Sequence, residues 1–110
     1  MTPNAGHIIL IAPSNDLAAG LIETVVQEIR RIFCFATEVS PLLTDLAFAF
    51  DTNRDQYHST PILKMLADLA PEWALRVLAL VEVDLFIPIL THVYGEAQLG
   101  GKTCIVSTYR

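Results

Sequence analysis

The residues of this chain that could do chemistry are few and scattered. Its three histidines, His7, His58 and His92, share no spacing that would put two of them on one helix face, and a helical zinc site needs histidines at i and i+4. A metal centre made from them would have to be assembled through space. Gly101-Lys102-Thr103 invites a phosphate-loop reading, in which backbone N–H groups wrap a phosphate and a lysine reaches over it. That loop requires a glycine five residues before Gly101, where Glu96 stands, and a helix after it, where Cys104-Ile105-Val106 is strand-like. The segment reads instead as a turn carrying a solvated lysine. Asp84, His92 and Ser107 are the residue types of a hydrolytic triad, yet no Gly-x-Ser-x-Gly elbow presents the serine. Cys34 and Cys104 lie far apart without metal-type spacing and read as buried small hydrophobes. Residue by residue, the sequence offers no catalytic constellation and no metal-ligand set.

The elements that would position these residues are easier to read. His7–Ala12 is a short continuous apolar run, the pattern of a strand covered on both faces. Pro13-Ser14-Asn15 ends it and offers capping side chains to a helix over residues 16–33. In that helix Leu17, Leu21, Val25 and Ile29 form one row, widened by Ile22, Val26 and Phe33, with Glu23, Gln27, Glu28, Arg30 and Arg31 opposite. Asp16 at the start and the two arginines at the end suit the helix dipole. A second strand is expected over residues 36–42. Leu46–Phe50 alternates like a strand, and residues 51–55 are a polar connection.

A second helix over residues 60–70 is capped by Ser59 or Thr60, tolerates Pro61 in its first turn, and turns Ile62, Leu63, Leu66 and Leu69 inward, with Lys64 and Asp68 paired on the wet side. A third strand covers residues 76–83. The order β-α-β-α-β implies a mainly parallel sheet with right-handed crossovers. After Asp84 no helix-length segment remains, and Gly95, Gly100 and Gly101 punctuate the last stretch of the chain. Residues 91–98 and 103–109 then form a hairpin turning at residues 99–102, and strands joined that tightly are antiparallel.

Length and composition set the frame. A chain of 110 residues makes one small domain, 1–110. It is 53% hydrophobic and 17% charged, an apolar surplus that fits either a face awaiting its missing half or an oligomer interface. Net charge is −5 and the seven basic residues are dispersed, which argues against nucleic acid as a partner. No apolar run approaches the ~18–20 residues that cross a bilayer. Ile8–Ala12 is too short for a signal-peptide core and has no basic residue before it, so a cytoplasmic location is expected.

Two blocks carry a longer signal. One is Arg54-Asp55-Gln56-Tyr57-His58-Ser59-Thr60. The other runs Val83-Asp84-Leu85-Phe86-Ile87-Pro88, then Val93-Tyr94-Gly95-Glu96-Ala97-Gln98-Leu99-Gly100-Gly101, then Cys104-Ile105-Val106-Ser107-Thr108-Tyr109-Arg110. At this spacing the chain resembles the archaemetzincins, zinc metallopeptidases of the metzincin type, in the part before their zinc-binding helix. The family's His-Glu-x-x-His-x-x-Gly-x-x-His motif is not in these residues.

The resemblance implies a mixed, mostly parallel twisted α/β sheet of about five strands with flanking helices and an antiparallel edge strand. It implies that Tyr94, Gly95, Glu96, Ala97, Gln98 and Leu99 form that edge strand, one rim of the cleft in which a peptide substrate binds as an added strand. Zinc would serve the complete enzyme, and the missing C-terminal half would supply its ligands and the catalytic residues. On this reading the 110 residues are a scaffold, inactive alone and with no catalytic or metal residue of their own. Without the missing half, Ile87, Leu90, Val93, Ile105 and Val106 are expected to leave an uncovered apolar patch. The competing reading is a non-catalytic α/β module that binds a partner chain through its exposed strand edge.

Overall fold

The computed structural model describes residues 8–14 and 17–109. The chain forms β1 (Ile8–Pro13), α1 (Ala19–Phe33), β2 (Ala36–Val39), a 3-10 turn (Ala47–Ala49), β3 (Phe50–Asp51), β4 (Gln56–His58), α2 (Ser59–Leu69), β5 (Ala74–Val81), β6 (Leu85–Ile87), β7 (Leu90–Val93), β8 (Gly95–Ala97) and β9 (Thr103–Ser107). Five strands make one sheet in the order β2-β1-β5-β9-β8. Its first four strands are parallel, and β8 joins β9 antiparallel. This is the mixed, mostly parallel sheet with an antiparallel edge. A second sheet, β3-β4-β6-β7, was not expected from the sequence.

Alternation along β1 explains why the helices lie on opposite faces. Successive side chains of a strand point to opposite sides. Leu10 and Ala12 meet Ile62, Leu63 and Leu66 of α2, together with Val77, Ala79, Val81 and Ile105. Ile9 and Ile11 meet Val26 of α1, with Ile22, Ile29 and Leu78 packed around them. The continuous apolar run at β1 is therefore a strand covered on both faces, as its sequence indicates.

The helix ends depart from expectation. The residue before α1 is Ala18, which makes no side-chain cap; backbone turns do that work, with Leu21 and Ile22 donating to the Ala18 carbonyl. Asp16 and Asn15 lie outside the described residues. At the other end Cys34 adopts a left-handed conformation (φ 59°) and its N–H donates to the Arg30 carbonyl, the closure that glycine usually supplies. Cys34 is exposed there, not buried. Phe33 is 55% exposed because it falls past the end of the covered stripe. Arg30 folds back onto β2, donating to the Thr37 hydroxyl at 2.6 Å and the Thr37 carbonyl at 3.3 Å.

Ser59 and Thr60 are the first residues of α2 and cap nothing within it; His58 precedes the helix without a side-chain cap. Leu69 is 45% exposed, and the ion pair Lys64–Asp68 does not form; among the described residues the salt bridge is Arg31–Glu28. The alternating stretch Leu46–Phe50 is mostly a 3-10 turn held by Asp45, whose carboxylate accepts the Ala47 N–H at 2.8 Å. Only Phe50 is strand, in a hairpin whose turn is built by Asp51, which accepts the N–H groups of Asn53 and Arg54. The expected strand 91–98 is split: β7 pairs with β6 in the second sheet, and β8 crosses to the first. The expected patch is smaller than foreseen. Ile105 is fully buried under α2 and Val93 packs against the core, while Leu90 and Val106 remain exposed.

Candidate functional site

β8 is the end of the five-stranded sheet, so one of its edges is unpaired. Its register with β9 sets Gly95 opposite Val106, Glu96 opposite Ile105 and Ala97 opposite Cys104. The ladder bonds are Ser107 N–H to the Tyr94 carbonyl (2.8 Å) and Gln98 N–H to the Thr103 carbonyl (3.0 Å). In an antiparallel pair, bonded and non-bonded residue pairs alternate. Residues 94, 96 and 98 therefore face β9, and the N–H and C=O of Gly95 and Ala97 point out from the sheet edge. Those four backbone groups are the ones an added strand would use.

Three features hold this edge in place. Gly95 lies so close to β9 that a Cβ would stand 2.4 Å from the Ile105 carbonyl oxygen, so only glycine fits. The turn after β8 uses Gly100 at φ +74°, and Lys102 anchors it by donating to the carbonyls of Pro71 (2.7 Å) and Ala74 (3.1 Å). Lys102 is thus a structural tie and not the solvated lysine that its turn setting implies. The third feature is Glu96. Its carboxylate turns under the sheet and accepts from the Ser59 hydroxyl at 2.6 Å and the Thr60 hydroxyl at 2.9 and 3.1 Å. Ser59 is fully buried and also lies 3.3 Å from the Phe86 carbonyl, but one hydroxyl hydrogen serves one acceptor well, and the charged, closer one wins. The carboxylate sits at the N-terminus of α2, where the helix dipole favours negative charge.

The two sequence blocks of the resemblance meet in space beside this site. β4 pairs with β6, placing Tyr57 opposite Leu85 and His58 opposite Phe86. The Arg54 guanidinium lies 4.2 Å over the Phe86 ring and donates to the carbonyls of Ile87, Pro88 and Leu90. Gln56 donates to the Asp84 carboxylate (3.0 Å) and the Thr91 carbonyl (2.8 Å). Ser59 then links this assembly to Glu96 and the edge strand.

The other sequence candidates do not converge. Ser107 donates its hydroxyl to the Val83 carbonyl, and the His92 ring packs edge-on to Tyr94 at 5.5 Å. His58 stacks on Phe86 at 5.0 Å. His7 lies outside the described residues. Cys104 is half-buried above a cleft of about 380 Å³ beside Phe33, Phe35 and Arg76. Burial pushes its thiol pKa up, and the positive charge of Arg76 works against that rise. Among the described residues no three His, Cys, Asp or Glu side chains group closely enough to hold a metal. Those residues on their own therefore do not offer a zinc ligand set. No helix among them is long and apolar enough to cross a membrane.

The geometry is that of a metallopeptidase-like α/β fold. A zinc-dependent peptidase of Methanocorpusculum labreanum superposes with a TM-score of 0.79 over 94% of this chain and 64% of its own; at 20% identity the likeness is one of fold. The sequence relationship is to the archaemetzincins. The archaemetzincin of Methanocaldococcus jannaschii is 31% identical over 102 residues, 93% of this chain and 54% of the relative. The archaemetzincin structure from Archaeoglobus fulgidus, complexed with malonate, superposes with a TM-score of 0.80 at 27% identity, over 94% of this chain and 61% of that one. The chain spans about half the length of the curated relatives it matches. No protein-family model matches it.

Proposed function

We propose that residues 1–110 are the N-terminal sheet scaffold of a zinc-dependent peptidase, with β8 as the rim along which a peptide substrate pairs as an added strand. On this reading zinc, its ligands and the catalytic residues come from the remainder of the enzyme, and this part alone is inactive. The observation that carries the reading is the antiparallel edge strand with Gly95 and Ala97 facing outward. Kinship with archaemetzincins over half their length supports it.

Two proline substitutions one residue apart test it. Proline removes a backbone donor. Ala97→Pro takes away an outward N–H and should abolish the response of the Gly95 amide to an extended, capped peptide while leaving the melting temperature nearly unchanged. Gln98→Pro removes the ladder bond to Thr103 and should lower binding and stability together. Equal loss of stability in both variants would place residue 97 inside the structure and end the rim assignment. One tightly held zinc per purified chain would overturn the division of labour.

A further inference from the structure

We propose that the groove between α2 and the outer edge of β8 is a side-chain subsite for an acidic residue of the bound strand, with Lys64 setting that preference. The inference rests on the edge-strand reading above. A strand bonded to residues 95 and 97 has a residue opposite Glu96, and residues directly opposite share a face of the sheet. Glu96 points to the α2 face, where it meets Ser59 and Thr60. The side chain opposite Glu96 therefore enters the space beside α2.

That space is a groove of about 300 Å³, lined by Thr60, Leu63 and Lys64 of the helix and by Glu96, Ala97 and Leu99 of the strand and its turn. Thr60, Leu63 and Lys64 stand at i, i+3 and i+4 and so share one helix face. Leu63 and Leu99 border it with apolar side chains, and the strand backbone at Ala97 closes it, a lining suited to a methylene stem. Two residues of opposite charge border it, and their situations differ. The Glu96 carboxylate is satisfied by two hydroxyls at the positive end of a helix. The Lys64 ammonium, one turn along, is exposed and has no ion pair or hydrogen bond among the described residues. Glu96 keeps its charge, and a carboxylate held directly opposite it is repelled, so the groove favours an acidic residue whose methylene stem carries its carboxylate away from Glu96 and along the helix to Lys64.

The test uses the 110-residue chain and three acetylated, amidated pentapeptides, Val-Thr-X-Thr-Val, with X as Glu, Gln or Lys. Titrations follow the Gly95 and Ala97 amides by NMR. The Glu peptide should bind about fivefold more tightly than the Lys peptide, the scale of one solvent-exposed ion pair, and the difference should shrink with added salt. Lys64→Glu should reverse the order. Equal affinities for all three peptides, with both amides responding, would overturn the subsite and leave the edge-strand reading standing. No response of those amides to any peptide would overturn both.

Discussion

In the five-stranded sheet, Leu10, Val77, Ala79 and Ile105 close against Ile62, Leu63 and Leu66 of α2 by shape and burial. In the second sheet, strands of two to four residues add Leu85 to the same core and are further tied by polar side chains, chiefly Arg54 and Gln56 reaching the carbonyls of the β6–β7 hairpin. The first region rests on many apolar contacts, the second on fewer, with single polar side chains added to them. The proposed rim stands where the two meet, since Ser59 touches both Phe86 and Glu96. A site at that seam inherits rigidity from the core and its detailed position from the polar ties.

The contrast can be broken most forcefully in the core. Ile105→Ala, at a fully buried position, should cost about 2–5 kcal/mol in denaturant unfolding. Val106→Ala, next along β9 but 41% exposed, should cost well under ~1 kcal/mol. Equal costs would refute the assignment of β9's faces. A smaller and more local effect is expected at Arg54→Ala. Losing its carbonyl contacts and the stack on Phe86 should weaken the β6–β7 hairpin by about 1–3 kcal/mol, read as faster amide exchange there while β1 and β5 amides hold. Arg54→Lys should rescue little, because a point charge cannot replace a flat fork. Exchange that rises uniformly would mean that the second sheet is not separately held.

The smallest effect sharpens the comparison at the sheet's other face. Because burial raises the Cys104 thiol pKa, iodoacetamide at pH 8 should label exposed Cys34 well before Cys104. Labelling of Cys104 should climb as pH passes the ordinary thiol range. Arg76→Ala should push its pKa further up, since Arg76 is the influence that lowers it. A thiol pKa raised by folding costs nothing below the unfolded value, where both states keep the proton, and disfavours the folded state as pH rises past it. Faster labelling of Cys104 in the Arg76 variant would contradict the charge assignment.

These differences also decide what could be read from the sequence. β1, α1 and β5 have apolar patterns long enough to show their period, and the parallel part of the sheet follows from them, whereas the antiparallel edge is read from the glycine-punctuated last stretch and from the resemblance. β4 and β6 are three residues each, too short for any period, so the second sheet was invisible. Leu46–Phe50 alternates, but Asp45 captures the Ala47 N–H and turns the chain instead. Ser59 and Thr60 have the composition of caps, yet their hydroxyls serve Glu96, which lies 37 and 36 residues on, and no local spacing encodes that. The same is true of Lys102, whose partners at Pro71 and Ala74 lie in a distant connection.

The order of strands has a consequence for assembly. β9 lies between β5 and β8, although β8 precedes it in the chain. As the polypeptide is synthesised, the segment 95–97 emerges with no neighbour to pair with and must wait until residues 103–107 have docked on β5. That docking itself needs β5 in place, and β5 pairs with β1 across a far longer stretch of chain, from Ile9 to Arg76. The rim is thus among the last parts of this unit to gain its shape, and a nascent chain halted just after Gly101 could form only β2, β1 and β5 of the five-stranded sheet, with β8 synthesised but unpaired.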